Sequence, residues 1–597
     1  MTESNDAADN GQPGGEAPRS IRPTAPPQMS AAKKYGPIVA IAVLLIGALV
    51  AVVLTSGGDD GDDVATGGGT ATVASTEPPA EDGSDFVPRD GVDVFRLAKA
   101  EGRADDIDWG ERCDTEIGAL KLPIWPQPDC FKPYDGGDPG APWTGVTADS
   151  IKVVVYLPQP NDPVLKFIYS QIGATDGPDQ TWETFQGFVE IFSQYYELYG
   201  RTVELIRYDA TGTIQDSAAA MADAETIARD IAPFAVLGGP NLTNAFADTL
   251  ATNKVLCIAC TSAQPADWYV ERAPYVWDVG RNATQAFDMV AEYLGKRLAG
   301  HPAEYAGDES MHSTERVFGY LRSSGNESSQ GLEDYFVNKL REDYGVEFAT
   351  IQTYGLPTEL AGSGKDIITA FKEAEVTSVV LSVDPLAPQT LTQIATQQEY
   401  FPEWVMGSST LVDTAAFSRT YDQAQWAHAF GSTGLFTPTD TDVAGAAFLY
   451  KWFFGTEAPA TSVALINGPL QVLFGAVQGV GPELTPQAFE EVLFNSPVYE
   501  GTPVNPQVSF GNRGFFDVTD YSGLDDMTEI WWDPTATGDN EIGQPGTGMW
   551  RYVDGGKRTL PGQWAKGRSK LFDPEGTVTV YTERPAGSEI KDYEPLR

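Results

Sequence analysis

The sequence predicts an α/β fold of two tandem lobes, each built on a parallel sheet covered by helices, behind a single transmembrane helix. From about residue 146, short apolar runs rich in β-branched residues alternate with helix-length amphipathic segments. This alternation occurs twice in succession and therefore indicates two lobes, because strands that alternate with helices form parallel sheets covered on both faces. Near the N-terminus, an uncharged apolar run at 37–54 is long enough to cross a bilayer.

The bulk composition excludes several classes of function. A chain of 597 residues is too long for one hydrophobic core, since cores stop growing near about 250–300 residues. The formal charge of −45, from 39 basic and 84 acidic residues, repels phosphate backbones and predicts no nucleic-acid partner. The sequence has no phosphate-cradling glycine loop and no nucleophile motif, and its three histidines cannot assemble a metal set. We therefore expect no enzyme activity, no cofactor and no metal.

The N-terminal part is predicted to anchor the protein in a membrane. Residues 1–35 form a disordered cytoplasmic tail, 36–55 a transmembrane helix, and 56–93 an acidic disordered linker. Lys33 and Lys34 precede the apolar run and aspartates follow it, so the positive-inside rule places everything after the helix outside the cytoplasm. A cleaved signal peptide is the alternative, but its apolar region is usually only about 7–15 residues behind a short basic head.

The cysteines fit an extracytoplasmic location. We expect residues 94–145 to form an irregular strap packed on the main body and stapled by a disulfide between Cys113 and Cys130. Cys257 and Cys260 form a C-x-x-C without a second such pair, so a disulfide or two buried thiols is favoured over a zinc site.

The remaining 146–597 is predicted to be the two-lobed body. The first strand is Ile151–Tyr156, and aromatic residues from Trp182 to Tyr199 recur at helical spacing after it. The second set of strands begins at Arg316–Leu321. We expect lobe one to contain 146–277 plus 405–440, lobe two to contain 278–404 plus 441–510, and a wrapping extension to cover 511–597.

A series of short motifs carries a family resemblance. In order they are Gly145–Lys152, Gly200–Leu205 with Tyr208-Asp209, Val236–Pro240, Cys260–Ala263 with Pro265, Pro274–Trp277 with Gly280, and Val405–Ser409. Their order and spacing resemble the branched-chain amino-acid (leucine, isoleucine, valine) binding proteins of ABC transporters, which have the type I periplasmic-binding-protein fold. The resemblance implies two α/β lobes joined by three crossing segments, with Val405–Ser409 as a return crossing into the first lobe, and a small-molecule ligand in the cleft between the lobes.

The candidate ligand-binding residues follow strand ends, where loops and helix N-termini offer unpaired N–H groups. They are Asn241, Thr243, Cys260, Ser262, Ser328, Asp384 and Ser409. Each polar member has an alternative role as a helix cap, and for Asp384 capping is the favoured interpretation.

The ligand class is predicted from a departure from the family. The resemblance implies a carboxylate near Ser409 that clamps the ammonium group of an amino acid, and a serine hydroxyl cannot supply a comparable bond. We therefore expect a neutral or anionic polar ligand and no tight binding of leucine, isoleucine or valine. If the correspondence is displaced by a few residues, Asp384 or Asp413 would supply the missing charge.

Three functions remain open on the sequence. The first is a solute receptor that works with an ABC permease. The second is a ligand sensor of the same fold that signals through a partner, since the cytoplasmic segment is short. An envelope hydrolase is the third and needs a catalytic set that the sequence does not display.

Overall fold

The structure is a computed structural model that describes residues 89, 91–261, 263–324, 327–407, 411–568 and 570–596. The predicted tail, transmembrane helix and nearly all of the linker lie outside the described residues. Of the candidate ligand-binding residues, Ser262 and Ser409 also lie outside them.

The predicted strap packs on the first lobe. It contains helix α1 (Phe95–Ala100), a 3-10 turn (Ala104–Asp106) and two short antiparallel strands, β1 (Cys113–Asp114) and β2 (Ala119–Leu120). Its apolar side chains, Cys113 and Cys130 among them, are buried in the same hydrophobic core as the first sheet. The sulfur atoms of this pair lie at bonding distance, with the Cα atoms 5.5 Å apart.

The first lobe is built on a five-stranded parallel sheet with strand order β4-β3-β5-β6-β7. The aromatic periodicity after the first strand produces helix α3, which turns Phe188, Phe192 and Tyr195 into this core. The elements are β3 (Ser150–Leu157), α2 (Pro163–Ile172), α3 (Pro178–Tyr195), β4 (Thr202–Asp209), α4 (Ser217–Thr226) with a π turn (Ile227–Ile231), β5 (Ala235–Leu237), α5 (Ala245–Thr252), β6 (Leu256–Ile258), α6 (Ala266–Val270) and β7 (Val276–Trp277).

The second lobe is built on a seven-stranded mixed sheet with order β14-β13-β12-β11-β10-β8-β9, in which β13 alone runs antiparallel to the other strands. The elements are α7 (Ala283–Tyr293) with a π turn (Leu294–Leu298), a 3-10 turn (Glu309–Met311), β8 (Phe318–Ser323), α8 (Glu327–Tyr344), β9 (Thr350–Tyr354), a 3-10 turn (Pro357–Glu359), α9 (Leu360–Glu373), β10 (Ser378–Ser382), α10 (Ala387–Gln397), β11 (Glu403–Met406), α11 (Ala415–Ser418), α12 (Gln423–Trp426), β12 (Ala429–Thr433), β13 (Thr528–Asp539), β14 (Pro545–Tyr552) and a 3-10 turn (Val553–Gly555).

The predicted boundaries between the lobes are wrong in two places. The segment 405–440 does not return to the first lobe at Val405, because this residue pairs with Val380 and Phe430 inside the second sheet. The segment 441–510, assigned to the second lobe, instead supplies helices to the first. The physical reason is that a strand buried on both faces has the same apolar pattern whichever sheet it joins.

Three helices after β12 complete the first lobe: α13 (Gly445–Phe454), α14 (Val463–Val480) and α15 (Pro486–Asn495). Their apolar faces, including Phe474 and Phe489, belong to the first core. Among the described residues, α14 alone has the length and apolar composition of a membrane span, and 56% of it is buried inside the protein.

The C-terminal extension touches both lobes. Trp531 and Trp532 in β13 and Trp550 in β14 are buried in the second lobe, so they pack rather than offer stacking surfaces. Beyond β14 the chain returns to the first lobe, where the Leu596 amide donates to the Tyr195 hydroxyl at 2.9 Å. The extension predicted at 511–597 therefore contains two strands of the second sheet and a segment that contacts the first lobe.

Candidate ligand-binding cleft

The carboxyl edges of the two parallel sheets border the candidate site. In the first sheet the chain order changes direction at β3, which lies between β4 and β5. Crevices outside the carboxyl ends of strands at such a switch point are where open α/β sheets bind ligands. The loops that follow β3, β5 and β6 in the first lobe and β10 and β11 in the second lie at such ends, and we expect them to form the two walls of the site.

Three chain segments cross between the lobes and form a hinge at 278–282, 434–444 and 522–527. The first and third lie side by side, since the Gly523 amide donates to the Asp278 carbonyl at 3.0 Å and the Leu524 amide to the Gly280 carbonyl at 3.1 Å. The resemblance implies three crossings, and the return of the chain to the first lobe after β14 is a further one. The second crossing follows β12, however, and not Val405–Ser409 as predicted.

Helix α2 spans the mouth of the cleft. It begins after β3 in the first lobe, and the buried Asp162 carboxylate caps it by accepting from Val164 and Leu165 amides at 2.9 and 3.0 Å. Its residues Ile168 and Ile172 pack against the core of the second lobe. The two lobes therefore touch across the cleft through an element that belongs to one of them.

The first-lobe wall contains a linked set of amide and hydroxyl side chains. Asn244 donates from Nδ2 to Gln264 Oε1 at 2.8 Å and accepts from the Thr261 hydroxyl at 3.1 Å. The Gln264 carbonyl accepts from the Ala283 amide at 2.8 Å, which ties this loop to the first crossing. This set of side chains is therefore polar and uncharged.

Three of the predicted ligand residues are described in this wall. Asn241 is exposed in the turn after β5. Thr243 bonds the Ser217 hydroxyl at 2.8 Å and accepts from the Ala245 amide at 3.3 Å, so it supports the start of α5. Cys260 is fully buried with its sulfur at bonding distance from that of Cys257, so its side chain lies in the core and is not presented to the cleft.

In the second-lobe wall, the Asp384 carboxylate caps α10. It accepts from the Leu386 and Ala387 amides at 2.8 and 3.2 Å and from the Tyr354 hydroxyl. Burial raises the pKa of this carboxyl. Ser328 is in the first turn of α8, and its side chain lies outside the described part of the structure. Capping is therefore the observed role of Asp384, and ligand contact by the predicted residues stays a prediction.

Two charged groups, Arg281 and Asp413, lie where the first crossing meets the second lobe. Neither is among the seven candidate ligand-binding residues. Arg281 lies in the first crossing, directly after the Gly280 that the resemblance marks. Asp413 lies in the loop after β11, and it accepts from the Thr433 hydroxyl at 2.5 Å. Burial raises the pKa of the Asp413 carboxyl, against an opposing effect of the Arg281 charge. A charged residue directly after Gly280, which the resemblance marks, is the sequence signal that could have found Arg281.

Other recesses lie away from the cleft. Two open depressions of about 580 and 330 Å³ lie on the first lobe, lined by residues around Lys254 and around Arg272 respectively. They border the amino end of β6, opposite the edge that faces the second lobe. Within the described residues, no group of three or more histidine, cysteine or acidic side chains is arranged to hold a metal ion.

Two α/β lobes joined by chain crossings are the arrangement that the sequence resemblance implies. No protein-family model and no curated protein matches the sequence. The solved structures that match include ABC-transporter solute-binding proteins and a periplasmic binding protein of type 1, at low sequence identity.

Three of these solved structures come from different organisms. One is an R. palustris ABC-transporter solute-binding protein in complex with 4-hydroxybenzoate, with TM-score 0.45, 15% identity, and 67% of this chain and 97% of that chain covered. Another is a branched-chain amino-acid transporter binding protein from Streptococcus pneumoniae in complex with isoleucine, with TM-score 0.44, 13% identity and coverages of 69% and 100%. A third is a branched-chain amino-acid binding protein from Burkholderia xenovorans, with TM-score 0.47, 11% identity and coverages of 69% and 96%.

Proposed function

We propose that this protein is a membrane-anchored extracytoplasmic receptor that captures a small polar organic molecule between its lobes, without chemical turnover, and delivers it to an ABC-type importer. The observation that supports the proposal is the arrangement of two α/β lobes, each built on a sheet with a parallel core, joined by chain crossings at 278–282, 434–444 and 522–527. Ligands that bind both walls of such a cleft favour the closed arrangement, and a membrane partner can recognise that arrangement.

Binding is tested by thermal unfolding of the full-length chain in detergent, with tryptophan fluorescence as the readout. The unfolding is measured in the presence of each compound of a library of sugars, amino acids, polyamines and organic acids. A true ligand at 100 times its dissociation constant should stabilise the folded state by about 2.7 kcal/mol. The shift should grow with ligand concentration. A library without any such compound would contradict the proposal.

Leucine, isoleucine and valine are expected to show no low-micromolar binding. A buried ammonium group without a counter-charge loses several kcal/mol, and each 1.4 kcal/mol is about tenfold in affinity. Asp384 is engaged in capping, and Asp413 is engaged by Thr433 and lies within the field of Arg281. Calorimetry with the three amino acids is the measurement, and low-micromolar binding of any of them would refute this part of the proposal.

The anchor gives a separate prediction about topology. Protease added to intact cells with a permeable outer layer should digest the large domain and spare a tag placed before Met1. The reason is the basic pair Lys33 and Lys34 before the apolar run and the aspartates after it. A matched tag at the C-terminus should be removed under the same conditions. A mature protein that begins after residue 55 would show that the segment is a cleaved signal.

A further inference from the structure

Arg281 has an unusual place in the hinge. Its guanidinium lies against the second crossing at Gly434, where a Cβ atom would come within 3.0 Å of Arg281 Cζ and Nε. The side chain is partly exposed, yet its Nη1 atom is shielded from solvent. A glycine at 434 thus leaves room for a cation beside the cleft.

A second arginine, Arg558, contacts the same hinge and serves as a comparison, because its role is structural. Arg558 donates to the Gly434 carbonyl at 3.0 Å, to the Leu435 carbonyl at 2.6 Å and to the Asp526 carboxylate at 2.8 and 3.0 Å. It also donates to the Asp526 carbonyl at 3.1 Å. Its guanidinium is therefore fully engaged in fixing the second crossing to the third, and its charge is balanced by Asp526.

Arg281 has none of these partners. Across the described part of the chain, no hydrogen bond or ion pair involves its guanidinium, and Nη1 is a buried donor without an acceptor. Burial lowers its pKa to about 10, and the charge of Arg558 acts in the same direction while Asp413 opposes it. Arg281 therefore stays cationic at neutral pH. Buried hydrogen-bond donors normally have acceptors, so a charged donor without an acceptor requires an explanation.

We propose that Arg281 is an anion-binding residue of the cleft and that the captured molecule carries a carboxylate, an inference that rests on the receptor function proposed above. Guanidinium groups pair with carboxylates through two parallel hydrogen bonds, which would satisfy the Nη1 donor. The charge balance favours a monoanion over a phosphate dianion, because Asp413 and Asp526 already lie close to the same cation. The carboxylate group is therefore the part of the ligand that the hinge recognises.

The test compares carboxylates with their uncharged amides. Wild-type protein is titrated with benzoate, hexanoate and succinate and with benzamide, hexanamide and succinamide, and the thermal shift and calorimetric affinity are measured. At least one acid is expected to bind, and its amide to bind at least tenfold more weakly. Arg281→Gln should weaken acid binding about 30-fold through loss of the charge-assisted pair, and Arg281→Lys should retain part of it.

Arg229→Gln is the matched control, since Arg229 is an exposed arginine paired with the adjacent Asp230 and lies away from the cleft. It should bind the acid as the wild type does. Retention of full affinity in folded Arg281→Gln, or equal affinity for acid and amide, would overturn the inference. If Arg281→Gln does not fold, the acid-against-amide comparison and the lysine variant decide.

The outcome also separates this inference from the receptor function. If only neutral library compounds or inorganic phosphate stabilise the wild type, the receptor function stands and the carboxylate inference fails. If no compound of any class binds, both fail.

Discussion

Replacement of Glu403 by leucine is expected to lower the free energy of unfolding by about 3–5 kcal/mol, because it leaves a buried arginine without its counter-charge. The Glu403 carboxylate is fully buried at the start of β11 and accepts from Arg316 Nε and Nη2 at 2.7 and 3.0 Å. It also accepts from the Ser378 hydroxyl at 2.6 Å and the Tyr305 amide at 3.1 Å. One carboxylate thus joins β10, β11 and two loops of the second lobe.

Chemical denaturation of wild-type and variant proteins measures this effect, and two comparisons make it specific. The double variant Arg316→Met with Glu403→Leu removes both charges and should recover a large part of the loss. Asp230→Asn breaks an exposed pair and should change stability by no more than about 1 kcal/mol. A Glu403→Leu variant as stable as the Asp230→Asn variant would show that the buried Arg316–Glu403 pair does not stabilise the second lobe.

Replacement of both Cys113 and Cys130 by serine is expected to lower the free energy of unfolding by about 3 kcal/mol, by the chain-entropy estimate for a cross-linked loop of this length. The two residues are 17 positions apart, and their Cα separation of 5.5 Å suits a disulfide. The bond closes a loop within the strap, and Arg112 next to it joins the strap to the first lobe by an ion pair with Glu197 and a hydrogen bond to the Tyr196 carbonyl at 3.0 Å.

Thermal unfolding with and without reductant measures the contribution of this bond. Reductant should lower the melting temperature of the wild type more than that of the double variant, in which only Cys257 and Cys260 remain reducible. Mass spectrometry of the non-reduced wild type should recover a peptide that joins Cys113 to Cys130. Alkylation of Cys113 in the native wild-type protein would contradict the staple.

The sequence by itself determined the fold class of the body. Alternating strands and helices in two sets predicted two α/β lobes, and the aromatic spacing from Trp182 onward predicted the buried face of α3. These predictions succeed because local periodicity reports which face of a strand or helix is buried. The family resemblance added three crossings, and the structure has crossings at 278–282, 434–444 and 522–527 together with a further return to the first lobe after β14.

Only the tertiary structure decided which lobe each segment joins and which polar groups are engaged. Glu403–Met406 belongs to the second sheet and helix α14 to the first lobe, because an apolar pattern reports burial but does not identify the partner that covers it. The sequence likewise cannot separate two arginines of one hinge. Arg558 is saturated by Asp526 and two carbonyls while Arg281 has no partner among the described residues, and this difference arises from contacts between segments that are distant in the sequence.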